Sequence, residues 1–303
     1  MKVAVVVMGD LGNQVCAALE KMSHEVVPVK VSPHMATALQ QEHPDVCFVA
    51  VSDATVAKDV QELLAVLDIL SVGSDASALS ASMRRGDYGQ ALVTYQHASQ
   101  ENVAASVPSG VVFSPAGYEA LGIDQLLELV EKHLPGGFPL CVKSSCAGAY
   151  EGLSKVANVE ELKAACAEVV QAGADVMIQE WVEGIDLKVA VLGEGWDAYA
   201  LPPVRITAEG ELEAPVSYGE LSPSEHLAQA IRSEIERAAV EMCRVLGIRD
   251  MAEVSLVWDG AQARIVAVDP CPNICPGTSF AAACETAGIS FDNLVNALAG
   301  GLE

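Results

Sequence analysis

The sequence predicts an α/β fold in which a parallel βα domain is followed by a larger part built on antiparallel strands. Up to about residue 80, short apolar runs alternate with helical patterns, which is typical of βαβ units and a parallel sheet. Later strands are joined by turn residues such as Asp259-Gly260, which favours antiparallel pairing. Because 51% of the 303 residues are apolar, each part has enough material for a core.

The first part contains three predicted strands and three predicted helices. The strands are at 3–8, 26–29 and 46–51, and the helices are at 12–21, 35–41 and 56–67. The run 3–8 is too short for a membrane span or a signal segment, so it is interpreted as a strand. Gly9-Asp10-Leu11-Gly12 loosely resembles a dinucleotide turn. The third spaced glycine is missing and no acid ends the second strand, which disfavours NAD binding.

Charge and cysteine content limit the classes of partner. A formal net charge of -24, from 41 acidic and 17 basic residues, argues against a nucleic-acid groove or an anionic membrane surface. Nine scattered cysteines indicate the reduced thiols of a cytoplasmic protein. A four-cysteine metal site formed by Cys141, Cys146, Cys271 and Cys275 is disfavoured, because the spacings are wider than those of a CxxC motif.

A helix is predicted over 76–94, after the capping residues Ser74 and Asp75. It carries the adjacent pair Arg84-Arg85, for which a solvated helical face is the simplest interpretation. A linker is predicted near 106–115, followed by a helix over 121–133 and a break at Pro135-Gly136-Gly137.

The stretch 138–156 has the pattern of a phosphate-binding segment. An apolar strand ends at Lys143, and a loop containing Gly148 and Gly152 follows. Glycines allow backbone N–H groups to approach an anion closely, while a lysine supplies a positive charge. The alternative is a lysine that caps a buried strand before a surface turn.

The remaining pattern ends in a hairpin that contains two acidic residues. The predicted elements are helices at 159–171 and 234–246 and strands at 176–180, 187–192, 198–206, 252–258 and 264–269. Glu253 and Asp269 lie within otherwise apolar strands, where an unpaired charge is costly. If both side chains share a face, they form a carboxylate pair suited to Mg²⁺. A solvent-facing pair is the alternative.

Several motifs occur in a collinear order that resembles the D-alanine-D-alanine ligase family of the ATP-grasp superfamily, over nearly the whole chain. They are FPLCVK at 138–143, GLSKV at 152–156, QEWV at 179–182, PPVRI at 202–206 and the segment 269–277 ending in Pro-Gly. The resemblance implies a preATP-grasp domain at 1–82, a central ATP-grasp subdomain at 83–179 and a C-terminal one at 180–303. It also implies that ATP is held between the last two.

The resemblance further implies an ATP-dependent and Mg²⁺- or Mn²⁺-dependent carboxylate-amine ligase that forms an acyl phosphate and then a peptide bond. Its substrates would be amino acids or dipeptides, and the protein would be a homodimer. The implied ATP-binding residues are Arg85, Lys143 and Gly148 at the phosphates, Gln179, Glu180, Trp181 and Val182 at adenine, and Asp186 at the ribose. The implied metal ligands are Glu253, Asp269 and Asn273, since Cys271 stands where the family has asparagine, and Gly277 is the implied catalytic residue.

The sequence departs from the family pattern where amino acids should bind. Ala149, Met251 and Ala282 stand where the resemblance implies a serine, an arginine and a serine, and Gly219-Glu220 replaces a lysine-tyrosine pair. The N-terminal glutamate that holds a substrate ammonium also has no counterpart near Asp10. Two hypotheses therefore remain: a ligase, for D-alanine or another amino acid, and a non-catalytic relative that is a nucleotide-binding or structural homodimer.

Overall fold

Three sheets organise the computed structural model, which describes residues 1–100, 103–146, 152–216 and 225–300. Strands of the first sheet are parallel, and those of the second and third sheets are antiparallel. This arrangement confirms the predicted α/β class, with a parallel βα part ahead of antiparallel sheets. Within the described residues, no helix is long and apolar enough to cross a membrane.

The first sheet has the strand order β2-β1-β3-β4. Its elements are β1 (Lys2–Val7), α1 (Gly9–Lys21), β2 (Glu25–Lys30), α2 (Met35–Glu42), β3 (Val46–Ala50), α3 (Ala54–Val66) and β4 (Ser71–Val72). The segment considered as a dinucleotide turn is the first turn of α1. A Cβ at Gly12 would lie 2.7 Å from the Cβ of Val7, so glycine is needed for this close packing of helix on strand.

The predicted helix over 76–94 is wrong, because the chain forms two helices with a 3₁₀ turn between them. These are α4 (Ala76–Met83) and α5 (Tyr88–Ser99), separated by Arg85–Asp87. At the break, Arg84 forms an isolated antiparallel bridge with Cys146, and the Arg85 N–H donates to the Ser145 carbonyl at 2.9 Å. Pairing with residues 145–146 replaces helical hydrogen bonds at this point. Because these residues directly follow the strand that carries Lys143, the pairing brings Arg85 next to the end of that strand.

The second sheet has the order β5-β8-β6-β7. Its elements are β5 (Gly110–Phe113), α6 (Pro115–Ala120), α7 (Ile123–His133), β6 (Leu140–Ser144), β7 (Leu153–Val156), α8 (Val159–Gln171) and β8 (Val176–Glu180). The linker predicted near 106–115 is therefore partly wrong, because β5 pairs with β8 along its length. The predicted helix over 121–133 is α7, and a separate short helix precedes it.

The third sheet has the path β12-β11-β9-β13-β14, and β10 pairs with β9. Its elements are β9 (Ile185–Leu192), β10 (Tyr199–Ala200), β11 (Val204–Ile206), β12 (Leu212–Glu213), α9 (Glu225–Leu246), β13 (Met251–Trp258), β14 (Ala263–Asp269), α10 (Ser279–Thr286) and α11 (Phe291–Leu298). The single strand predicted at 198–206 is wrong. Pro202 and Pro203 lack the N–H groups a ladder requires, and they separate β10 from β11.

Two apolar clusters cover the two faces of the third sheet, one formed with helices α9 and α5 and the other with the first sheet and α10. Buried residues of α9, such as Ile235 and Met242, pack with Tyr88 of α5 against one face. On the other side, Met251 belongs to a cluster that includes Phe48 of the first sheet and Phe280 of α10. The open edge of this face, near the carboxyl ends of β1 and β3, borders the cleft described next.

Candidate functional site

A cleft of about 790 Å³ lies between the loops that follow β1 and β3 and one face of the third sheet. Its lining includes Gly9, Asp53, Arg85, Lys188, Glu253 and Asp269. Asp53 caps α3, because one of its carboxylate oxygens accepts hydrogen bonds from the N–H groups of Thr55 and Val56. The cleft thus carries positive and negative groups side by side.

Lys143 lies on the face of the second sheet that is not covered by α7 and α8. Alternation places Leu140 and Val142 in the apolar cluster with those helices, and it turns Lys143 to the other face. The side chain is almost fully buried, and its Nζ donates to the Val266 carbonyl of β14 at 3.2 Å. Burial lowers the pKa of Lys143 to about 8, and the positive charge of Arg85 acts in the same direction.

Arg85 is the second cation of this region. Its Nε is buried and has no hydrogen-bond partner among the described residues. Within the same described residues, neither Arg85 nor Lys143 forms a salt bridge with a carboxylate. A buried lysine and a half-buried arginine that lack a salt bridge favour an anion, since leaving such charges unpaired is costly. By contrast, the neighbouring Arg84 is exposed and lies 3.5 Å from Asp87.

The segment predicted to hold adenine follows directly along β8. Gln179 pairs with Cys141 and therefore shares the face of Lys143. It is buried, and its Nε2 donates to the Pro108 carbonyl at 3.4 Å. The Glu180 carboxylate accepts hydrogen bonds from the Ser109 N–H, at 3.0 Å, and from Arg264 of β14. This pair links the end of the second sheet to the third sheet.

Trp181 and Val182 are half-buried in the connection to β9. The Trp181 Nε1 donates to Glu183 at 2.8 Å, and the Lys155 Nζ lies 4.6 Å from the centroid of the indole ring. Asp186 is exposed two residues before Lys188 on β9, and the surrounding protein raises the pKa of its carboxyl. Gly148 lies outside the described residues, so its predicted role at the phosphates stays a prediction.

Glu253 and Asp269 are directly opposite each other on β13 and β14, so their side chains lie on one face of the third sheet. This confirms the predicted juxtaposition. The Glu253 carboxylate is already satisfied, because it accepts hydrogen bonds from the Lys188 Nζ at 2.6 Å and from the Ser279 Oγ at 2.5 Å. One Asp269 oxygen accepts from the Cys271 N–H at 2.9 Å. Asp269 keeps an exposed surface, yet desolvation by the surrounding protein raises the pKa of its carboxyl, and the nearby Glu253 charge acts in the same direction.

These residues do not fit the predicted divalent-cation site. The Asn273 Oδ1 accepts a hydrogen bond from the Cys275 N–H at 3.1 Å, which uses the amide oxygen in a local turn. Burial raises the pKa of the Cys271 thiol, and a protonated thiol is a poor ligand for a hard cation. The Lys188 ammonium is already bonded to Glu253, one of the two predicted carboxylate ligands. In the described part of the chain, no group of three or more His, Cys, Asp or Glu side chains has the arrangement of a metal site.

Other positions singled out by the resemblance lie around the same face. Gly277 has φ +88° and precedes Thr278, the N-cap of α10, so it stands two residues from the Ser279 contact with Glu253. Met251 is buried in the apolar cluster between the first and third sheets, and Ala282 packs against that cluster. Ala149, Gly219 and Glu220 lie outside the described residues.

Sequence reasoning missed Lys188, Ser279 and Arg264. A signal for Lys188 was present, because Asp186 and Lys188 alternate with apolar residues in β9 and must share a face. The contacts of Ser279 and Arg264 join segments that are distant in the chain. No local pattern indicates such contacts.

Comparison with solved structures identifies the fold. A D-alanine-D-alanine ligase from Bacillus anthracis complexed with ATP matches with a TM-score of 0.75 at 20% identity, covering 99% of this chain and 96% of that one. The VanG D-Ala:D-Ser ligase from Enterococcus faecalis matches with a TM-score of 0.75 at 17% identity, covering 99% and 98%. The chain thus has the fold of ATP-grasp ligases, with two antiparallel sheets that follow a parallel βα part.

Comparison of sequences identifies a family within the ATP-grasp ligases. A family model described as D-ala D-ala ligase C-terminus matches residues 111–299, well over half of the chain. The D-alanine-D-alanine ligase of Desulforudis audaxviator is 29% identical over 299 residues, which cover 95% of this chain and 90% of that protein. The ligase of Mannheimia succiniciproducens is 34% identical over 185 residues, 57% of each chain. The chain belongs to the D-alanine-D-alanine ligase family.

Proposed function

We propose that the chain is an ATP-dependent ligase that joins the carboxylate of one small amino acid to the amine of a second. One observation carries this proposal: Lys143 is buried and Arg85, half-buried nearby, acts on its pKa, and neither forms a salt bridge with a carboxylate among the described residues. Such a pair attracts an anion with several charged oxygens, and a triphosphate has this character. Family membership supports the same ligand.

ATP would lie between the second and third sheets. Lys143 and Arg85 would contact the phosphates, while Gln179, Glu180, Trp181 and Val182 would border the adenine. Asp186, exposed on β9, would accept hydrogen bonds from the ribose hydroxyls. Since Glu180 is bonded to Arg264, adenine would pack beside this ion pair without needing the Glu180 side chain as its partner.

The reaction would proceed in two steps. A carboxylate oxygen of the first amino acid attacks the γ-phosphorus of ATP, the bond to the β-phosphate oxygen breaks, and an acyl phosphate and ADP form. The neutral amine of the second amino acid then attacks the acyl carbon, loses a proton and expels phosphate. Lys143 and Arg85 would stabilise the charge on the phosphate oxygens in the first step, because buried donors act more strongly than water does.

The cleft supports zwitterionic substrates. Its lining carries carboxylates, among them Asp53 and Asp269, beside cations, so an ammonium group and a carboxylate group would each find an opposite charge there. The names of the relatives favour D-alanine or D-serine as substrates. Met251 is buried among apolar residues and supplies no charge to an oxyanion. This observation favours slow turnover of D-alanine, and it is also the specific support for the second candidate, a nucleotide-binding protein without ligase activity.

The test is phosphate release from ATP with D-alanine, D-serine, D-lactate and a panel of other amino acids, together with a thermal shift by ATP alone. The Lys143→Met variant is the control for turnover. A thermal shift with turnover of some amino acid pair supports the ligase, and a shift without turnover supports the second candidate. If ATP neither stabilises the protein nor is consumed, both proposals fail.

A further inference from the structure

Lys188 and Glu253 form an ion pair at the centre of the face that borders the cleft. Lys188 is opposite Ser255 in the β9–β13 ladder, and Glu253 is two residues along β13, so both side chains leave the same face. The Lys188 Nζ lies 2.6 Å from the Glu253 Oε2. At this distance the ammonium donates a charge-assisted hydrogen bond.

Other contacts hold this pair in place. Glu253 is 7% exposed, and its second oxygen accepts from the buried Ser279 Oγ. Asp269 lies directly across from Glu253, and the Lys188 charge acts against the two effects that raise the pKa of Asp269. The Lys188 ammonium thus bonds to one carboxylate and acts on a second, on which the Arg85 charge acts in the same direction. A divalent cation at the same place would have to displace Lys188 from an oxygen that it already occupies.

We propose that the Lys188 ammonium takes the place of a divalent cation at Glu253 and Asp269, so that lysine and arginine cations neutralise the nucleotide's phosphates in this chain. The part of this inference that concerns phosphates rests on the proposed function. Lys143, Arg85 and Lys188 together bring three positive charges to the region where the second and third sheets meet. A tethered ammonium needs no octahedral set of oxygen ligands, whereas Mg²⁺ does.

The competing arrangement is a movable lysine that leaves Glu253 when a metal ion arrives. The two arrangements differ in what the wild-type protein does with a metal ion alone. If Lys188 replaces the cation, the carboxylate pair gains a metal ion only after the ammonium has been removed. If Lys188 moves aside, the wild type already binds the ion.

The first measurement is a titration of the nucleotide-free full chain with Mn²⁺, in which water-proton relaxation detects the bound ion. We expect Lys188→Met to gain one Mn²⁺ site, bound at least about tenfold more tightly than any wild-type site, because the two carboxylates then face each other without the ammonium bonded to Glu253. The double variant Lys188→Met with Glu253→Gln should lose the gained site. Lys21→Met, which removes the lysine of a surface pair with Asp292 at 3.2 Å, should gain nothing.

Equal Mn²⁺ binding by the wild type and Lys188→Met would overturn the inference, and so would a variant that gains no site. Circular dichroism checks that each variant is folded. Should Lys188→Met fail to fold, Lys188→Gln replaces it, because glutamine keeps a donor toward Glu253 without the charge.

The second measurement is calorimetric binding of a non-hydrolysable ATP analogue in Mg²⁺ and in a chelator. The wild-type affinity for the analogue should differ less than about threefold between Mg²⁺ and chelator. Lys188→Met should bind the analogue at least about tenfold more weakly in the chelator than in Mg²⁺. A wild type that loses the analogue in the chelator would overturn the inference. If the analogue binds in neither condition, the proposed function fails, and the Mn²⁺ titration still decides whether Lys188 occupies the cation position.

Discussion

Replacing Lys143 with methionine should stabilise the nucleotide-free protein and weaken its binding of ATP. A charged ammonium in this position is desolvated by the second and third sheets and lies near Arg85. Methionine has a similar length and no charge, so the folded state no longer bears that cost. When ATP is bound, the same ammonium stabilises the complex, because phosphate oxygens replace the water that it lost on folding.

The pKa of Lys143 sets the size of the effect. Its ordinary value is 10.5 and its folded value is about 8, which corresponds to roughly 3 kcal/mol against folding at neutral pH. Losing the hydrogen bond to the Val266 carbonyl offsets about 1 kcal/mol. We therefore expect the free energy of unfolding of Lys143→Met to exceed that of the wild type by roughly 2 kcal/mol at pH 7.

The difference should shrink as the pH rises. Below pH 8 the lysine is protonated in both the folded and unfolded states, and the cost is fully present. Between pH 8 and 10.5 the unfolded state binds more protons, so wild-type stability rises toward that of the variant.

Urea unfolding of wild type, Lys143→Met and the exposed-surface control Lys163→Met at pH 7 and pH 9.5 measures this directly. The expected ATP effect is a dissociation constant raised about 10- to 100-fold in Lys143→Met only, the size of one charge-assisted hydrogen bond. The reasoning would be refuted by a Lys143→Met protein that is less stable than the wild type at pH 7. It would also be refuted by one that binds ATP equally well.

Three further predictions concern the other charges of the cleft. Arg85→Met should raise the dissociation constant of ATP about tenfold or more in calorimetry, whereas the exposed neighbour Arg84→Met should change it less than about twofold; equal effects would contradict the assignment. Wild-type ATP affinity should fall as the pH rises above about 8, since only protonated Lys143 attracts phosphate, and Lys143→Met should lack this step; the same step in both proteins would count against it. In a urea double-mutant cycle, Lys188→Met and Glu253→Gln should each cost about 1–2 kcal/mol and the double variant less than their sum, because each single change leaves one charge unpaired; strict additivity would show that the pair contributes nothing.

The overall architecture was accessible from the sequence because periodicity reports burial. β1, α8 and β8 follow clear patterns of apolar residues, and the predicted hairpin carried Glu253 and Asp269 on its two strands, which the structure pairs directly. Lys143 was also identifiable, because a charged residue at the end of an apolar strand is costly to bury without a partner or a ligand.

The sequence did not reveal what the side chains contact. The break between α4 and α5 depends on pairing of Arg84 with Cys146, which lies far along the chain. The metal prediction considered Glu253 and Asp269 alone, and it overlooked the cation that a third strand brings to them. Alternation in β9 gave the face of Lys188, but only the register of β9 with β13 gives its partner.

The enclosed position of Lys143 has a kinetic consequence for an acidic protein. The formal net charge of the molecule is -24. At long range the acidic residues outweigh the positive charge of Lys143, so the molecule as a whole repels an anionic nucleotide. Dissolved salt screens that long-range repulsion over about 10 Å at 0.1 M, yet it screens buried groups much less. Moderate ionic strength should therefore speed the arrival of ATP, the reverse of the behaviour of proteins whose exposed basic surfaces steer nucleotides toward them.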